Sequence, residues 1–188
     1  MKQDLSLLLI GIVTIFGSGV AQGKECKGVN FQDQAQVDGT NLTLNGLGLR
    51  QATVLKVNVY VAALYVAKPS NDAKAILEST TPKELILHFV RNVSASDLNK
   101  AWEEGFEKQL GTFKNPLSVL QGWMTDMKSG QRLIFIHKPG AGVQVDVNGT
   151  VKGTIKDDDF AKAFFSIWLG PNPPNPGLKT GLLGGACG

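Results

Sequence analysis

Few residues of this chain are arranged as a catalytic or metal-binding group requires. His88 and His137 each lie alone in a strand-like segment, where a side chain with a satisfied hydrogen bond is a simpler interpretation than a general base. Paired acids occur at residues 103–104 and 157–159, and the second run fits the start of a helix. The sequence contains no Cys-x-x-Cys pair, Cys/His cluster or glycine-rich phosphate loop. We therefore predict no catalytic residue, no metal site and no cofactor.

The N-terminal segment has the three parts of a secretory signal peptide. Lys2 and the amino terminus supply positive charge, residues 5–16 form an apolar run, and small residues follow at positions 17–21. The run is short for a bilayer span, and no later apolar run is long enough to cross a membrane. An uncleaved anchor or a buried N-terminal helix is the alternative.

Cleavage before Lys24 fits the small residues at positions 21 and 23, and cleavage after Ala21 is nearly as plausible. The predicted organisation is a signal peptide at residues 1–23 and one domain at residues 24–188, located in the periplasm or secreted. The formal net charge of +3 is spread along the chain, which argues against a nucleic-acid partner.

Two cysteines, Cys26 and Cys187, lie near the ends of the predicted mature chain. In an oxidising compartment an even pair favours one disulfide, which would close nearly the whole chain. The alternative is two free thiols.

The order of predicted elements is strands, helices, a three-stranded meander and further helices, which indicates an α+β fold with a mainly antiparallel sheet. Residues 148–149 (Asn-Gly) give the clearest hairpin signal. Strands are predicted at residues 31–37, 42–49, 53–67, 84–90, 132–138, 142–147 and 150–155. Helices are predicted at residues 72–78, 94–110, 116–127, 160–169 and 178–183.

Three stretches together resemble the chalcone isomerase-like family, and the match is closest to its bacterial exported branch. They are residues 44–66, which contain LNGLGLR and VNVYVAALYV, residues 142–149, and residues 160–171 with 182–184. The resemblance implies an open-faced β-sandwich, in which helices cover one face of a large antiparallel sheet and leave a cleft. Some members of the family cyclise chalcones, and others resemble non-catalytic fatty-acid binders in which an Arg and a Tyr hold the carboxylate.

By this resemblance Arg50 and Tyr60 are the candidate ligand-binding residues. A guanidinium can form two charge-assisted hydrogen bonds to a carboxylate, and a phenol can share the anion. In one straight strand ten residues would separate them by about 33 Å, so a shared ligand requires the chain to reverse between them. Residues 51–55 contain no turn-forming residue.

The isomerases also use a Tyr and an Asn on the helix after the strand at residues 84–90. The corresponding segment, residues 96–105, contains no Tyr, and Asn99 is not at the matching position. The leading hypothesis is therefore a non-catalytic binder of a small apolar carboxylate. The alternatives are an intramolecular lyase and a structural or interaction module without a ligand.

Overall fold

The computed structural model describes residues 23–108 and 113–188. The predicted signal peptide lies outside the described residues except for Gly23, which begins the first strand.

The main sheet has seven antiparallel strands that follow one another in chain order. Each strand is joined to its neighbour by a hairpin or a longer connection, so no strand crosses over another. The strands are β3 Gln34–Val37, β4 Thr40–Ala52, β5 Val57–Val66, β6 Lys83–Phe89, β7 Arg132–Lys138, β8 Gly142–Val147 and β9 Thr150–Ile155. The Asn148-Gly149 turn predicted from the sequence joins β8 to β9, with positive φ angles of 51° and 84°.

A separate two-stranded sheet precedes the main one. It consists of β1 Gly23–Cys26 and β2 Val29–Gln32. The single strand predicted at residues 31–37 is therefore wrong, because the chain leaves one sheet and enters the other at Asp33.

The helices pack on one face of the main sheet, as the family resemblance implies. The alternation of strand residues divides the core: Tyr60, Ala62 and Leu64 of β5 face the helices. Val61 and Ala63 face the opposite side, where β1 and β2 pack. The helices are α1 Ala73–Leu77, α2 Ala95–Glu107, α3 Lys114–Gly122, α4 Asp158–Leu169 and α5 Pro176–Leu182.

The strand predicted at residues 53–67 begins later than expected, at Val57. Residues 53–56 form a hairpin turn instead, closed by a hydrogen bond of 3.1 Å from the Lys56 amide to the Thr53 carbonyl. Thr53 and Lys56 adopt positive φ angles of 62° and 51°. Thr53 is β-branched and such residues rarely adopt this conformation, so the sequence favours a strand here.

The third helix also differs from its prediction. It ends at Gly122 rather than near residue 127, because Met127 forms a β-bridge with Val93. The cap predicted for α4 is confirmed: an Asp157 side-chain oxygen accepts a hydrogen bond of 2.8 Å from the Phe160 amide.

Helix α5 packs directly against the backbone of β4. Gly46 and Gly48 face this helix, and a Cβ built on Gly48 would lie 2.3 Å from the Leu178 carbonyl oxygen. Gly181 approaches β4 equally closely, since its Cβ would lie 2.2 Å from the Leu47 oxygen. The alternating glycines therefore allow a close helix–strand contact that side chains would block.

Asn45 anchors the same region from a bulge in β4. Its side chain is buried and donates to the carbonyl oxygens of Leu182, at 2.7 Å, and Ser70, at 3.0 Å. It also accepts a hydrogen bond of 2.7 Å from the Ser70 amide. One amide thus joins β4, the loop after β5 and the end of α5.

Cys26 and Cys187 form a disulfide with a Cα–Cα distance of 6.0 Å. The bond connects the end of β1 to the segment that follows α5, and the free-thiol alternative is excluded in this structure.

Candidate functional site

A row of three residues crosses the helix-facing side of the sheet near one end. Arg50 of β4 is paired in register with Tyr60 of β5, and Tyr60 is paired with Phe89 of β6. The turn at residues 53–56 provides the chain reversal that this pairing needs. A bulge between Arg50 and Gln51 shifts the register beyond the pair.

This row forms part of the wall of a cavity of about 450 Å³ between the sheet, α2, the end of α4 and the segment before α5. The volume falls in the range of about 300–1,000 Å³ typical of small-molecule sites. Four charged residues besides Arg50 line the cavity: Arg91, Asp97, Glu104 and Lys108. The apolar lining residues include Val59, Leu87, Phe89, Leu98, Trp102 and Ile167.

The Arg50 guanidinium is oriented by backbone oxygens. Its Nη1 donates to the carbonyls of Gln51 and, at 3.3 Å, Pro174. Within residues 23–108 and 113–188, no carboxylate forms a salt bridge with Arg50. Among the described residues, therefore, no acid lies within salt-bridge distance of its charge, and its Nη2 and Nε donors have no acceptor.

Asn175 holds the free edge of β4 beside Arg50. Its amide donates to the Leu49 carbonyl at 3.0 Å and accepts from the Gln51 amide at 3.1 Å. The proline-rich segment before α5 thereby replaces a neighbouring strand at this edge. This arrangement fixes both the strand that carries Arg50 and the neighbouring Pro174 carbonyl that accepts from its guanidinium.

Tyr60 presents a neutral phenol to the same space. Its ring is buried, and its hydroxyl oxygen accepts a hydrogen bond of 3.0 Å from the Trp168 indole. Burial raises the pKa of Tyr60, although the Trp168 hydrogen bond and the Arg50 charge each oppose this shift. Since the indole occupies an acceptor position, the hydroxyl hydrogen is available to donate to an anion beside Arg50.

Helix α2 forms the opposite wall and begins at a Ser94 cap. Its buried residues include Leu98 and Trp102, which line the cavity. The Trp102 indole nitrogen is buried and, in the described part of the chain, has no hydrogen-bond partner. Asn99 does not line the cavity.

The chain has only two tyrosines, and the second is not at this site. Tyr65 lies in the core cluster on the opposite face of the sheet, where its hydroxyl donates to the Gln32 carbonyl at 2.8 Å. Tyr60 is consequently the one phenol available to the cavity.

A second polar cluster lies at the other end of β6. Lys83 is 2% exposed, and its ammonium contacts His137 Nδ1 at 3.0 Å and the Ser79 carbonyl at 3.3 Å. Burial lowers the pKa of Lys83 to about 8. Burial and the Lys83 charge lower the pKa of His137 to about 4, against the opposing effect of Asp158. The lysine therefore carries the proton and the imidazole accepts from it.

Lys83→Met is expected to change how stability depends on pH. Because the folded protein disfavours the ammonium, the wild type gains stability as the pH rises from about 8 toward 10.5, where the unfolded lysine deprotonates. The free energy of unfolding of the wild type should rise by about 2–3 kcal/mol relative to the variant over this interval. Urea titrations at several pH values measure this difference. Lys74→Met, at an exposed lysine, is the matched control, and parallel profiles for wild type and Lys83→Met would refute the assignment.

In the described ranges, no group of three or more His, Cys, Asp or Glu residues is placed to hold a metal ion. Nor does any described helix have the length and hydropathy needed to cross a membrane.

The family model described as chalcone isomerase-like matches residues 23–184. The chain therefore belongs to the chalcone isomerase-like family. The structure is similar to the crystal structure of an Arabidopsis thaliana fatty-acid binding protein, with a TM-score of 0.70 and 14% sequence identity. The match covers 86% of this chain and 96% of that chain, and it confirms the predicted fold. No curated protein sequence matches the chain significantly.

Proposed function

We propose that this protein is an exported, non-catalytic binding protein that holds an apolar carboxylate, such as a fatty acid, in the cavity beside Arg50. The observation that carries the proposal is the pairing of Arg50 with Tyr60 at the wall of a largely apolar cavity. Export and membership of a bacterial exported branch rest on the signal-peptide pattern of residues 1–23 and on the resemblance described above.

The contacts of the two residues suit a carboxylate. The guanidinium keeps donors that no described residue uses, and the Tyr60 hydroxyl keeps its hydrogen. A ligand carboxylate between them would accept charge-assisted hydrogen bonds from both the Arg50 guanidinium and the Tyr60 hydroxyl. Its hydrocarbon chain would lie against the apolar wall formed by Leu87, Leu98 and Ile167.

The composition of the wall argues against the alternatives. Cyclisation in the isomerases draws on a Tyr and an Asn from the helix after the strand, and α2 places neither at the cavity. A purely structural module would have its own side chains filling the space beside Arg50, whereas a cavity of about 450 Å³ lies there.

Native mass spectrometry of protein isolated from its host tests the proposal. We expect a co-purifying fatty acid that is released on denaturation. Loss of chalcone absorbance that is faster than the spontaneous reaction and depends on Arg50 would instead favour the lyase. A protein that carries no lipid and binds none when fatty acid is added would overturn the binding function.

Arg50→Met is expected to weaken fatty-acid binding by about 100-fold, because hydrogen bonds to a charged partner contribute about 1.5–3 kcal/mol. Tyr60→Phe removes one hydrogen bond to the ligand anion, together with the acceptor of the Trp168 indole, and should weaken binding by about 10-fold, at the low end of the same range. Displacement of a fluorescent fatty acid measures the dissociation constants of both variants. Arg132→Met is the matched control, because Arg132 lies over the Phe31 ring on the opposite face of the sheet. Equal losses in Arg132→Met and Arg50→Met would contradict a specific role for Arg50.

A further inference from the structure

The turn between β4 and β5 exposes two large apolar side chains to water. Val54 is 97% exposed and Leu55 is 82% exposed. The other large apolar side chains exposed in the described ranges are single and less prominent: Val119 at 46% and Val151 at 58%. Two adjacent and almost fully exposed apolar side chains at the end of a hairpin are unusual, because exposed apolar residues are normally scattered singly over a protein surface.

The backbone that presents these side chains is strained. Thr53 and Lys56, which flank them, both adopt the left-handed conformation that favours glycine. A glycine or asparagine turn would close this hairpin without strain. Strained backbone of this type persists where the surrounding structure holds it, and it is concentrated at ligand clamps and switch regions. Gln51 holds the base of the turn by donating to the Lys56 carbonyl at 3.3 Å and to the Asn58 side chain at 3.1 Å.

The turn lies at the mouth of the proposed ligand cavity. Ala52 and Thr53 contribute to the lining, and Arg91 and Lys108, both exposed, lie around the same space. Lys56 is exposed on the turn itself. Asp97 and Glu104 are the acidic residues of the lining, so the cationic side chains around the mouth, counting Arg50, outnumber the acidic ones.

We propose that the hairpin tip, residues 53–56, docks into the surface of an anionic lipid bilayer and brings the cavity mouth against the membrane. Val54 and Leu55 would enter the boundary between headgroups and acyl chains, where apolar side chains are stabilised. Lys56, Arg91 and Lys108 would face the anionic headgroups, which attract basic residues near the surface. This inference rests on the proposed function, since an apolar ligand could then pass between bilayer and cavity without crossing bulk water.

Co-sedimentation with vesicles tests the proposal. The full-length mature protein is incubated with vesicles of equal parts phosphatidylcholine and phosphatidylglycerol, at low and high salt. We expect it to sediment with them, more weakly at high salt because screening reduces the attraction. The Val54→Ser/Leu55→Ser double variant should lose binding by at least about tenfold, because two apolar side chains no longer enter the lipid. The control is Val151→Ser. It replaces an exposed valine in β9, at the other edge of the sheet from β4, and should bind vesicles as the wild type does.

Fatty-acid affinity in solution, measured on the same proteins, distinguishes membrane docking from ligand binding. The double variant should keep the wild-type affinity and unfolding midpoint. Vesicle binding that depends on Val54 and Leu55 supports docking even if no fatty acid is bound. Absence of wild-type sedimentation, or equal sedimentation of the double variant, overturns docking and leaves the binding function standing.

Discussion

Gly48→Ala is expected to lower the free energy of unfolding by about 3 kcal/mol, a large effect for the addition of one methyl group. The new Cβ would lie 2.3 Å from the Leu178 carbonyl oxygen and 2.8 Å from the Leu178 Cδ1 atom. The backbone oxygen cannot rotate away as a side chain can, so α5 has to move off β4. Urea unfolding monitored by circular dichroism measures the loss.

The matched control is Gly122→Ala, at the end of α3, where a Cβ would meet no heavy atom within 4 Å. This substitution should leave stability unchanged or raise it by up to about 1 kcal/mol, because alanine is the better helix former. Wild-type stability in Gly48→Ala would contradict the close packing of α5 on β4. A shift of α5 would also disturb the neighbouring Pro174 and Asn175, so fatty-acid affinity should fall in the same variant.

Removing the disulfide is expected to cost about 3–5 kcal/mol, because the bond closes nearly the entire domain and restricts the unfolded chain. The bonded residues are 161 positions apart. The double substitution Cys26→Ala/Cys187→Ala avoids placing a hydroxyl at Cys26, which is buried in the core on the face away from the helices. Guanidinium unfolding with and without reductant provides the measurement.

Reductant should destabilise the wild type by a similar amount and leave the double variant unaffected. A wild type that is insensitive to reductant would contradict a stabilising disulfide. A disulfide is consistent with the predicted export, because disulfides persist in oxidising compartments and are rare in the cytosol.

The sequence allowed the fold class to be predicted because most of the strands have clear patterns. Alternation along β7, β8 and β9, together with the Asn148-Gly149 turn, defines the meander without any tertiary information. The order of elements predicted an α+β fold with an antiparallel sheet, the family resemblance implied that helices cover one face of it, and both expectations are confirmed. The turn at residues 53–56 was missed because its Thr-Val-Leu-Lys sequence has strand propensity, and only the folded context forces it into a turn.

The candidate site was only partly predictable, since its geometry depends on contacts distant in sequence. Arg50 and Tyr60 were identified through the family resemblance. Their pairing depends on the turn at residues 53–56, which the sequence pattern does not predict. Trp168 lies in the stretch at residues 160–171, but nothing in the sequence indicates that its indole donates to Tyr60. Asn175 gave no signal beyond its place among prolines, although its amide holds the strand edge beside Arg50.

A crystal structure of the protein with bound palmitate tests whether Arg50 and Tyr60 together hold the ligand carboxylate. We expect the carboxylate to lie within hydrogen-bond distance of both the Arg50 guanidinium and the Tyr60 hydroxyl, with the acyl chain beneath α2. The claim would be contradicted by a carboxylate bound elsewhere, for example beside Lys83, or by a cavity that stays empty at saturating palmitate.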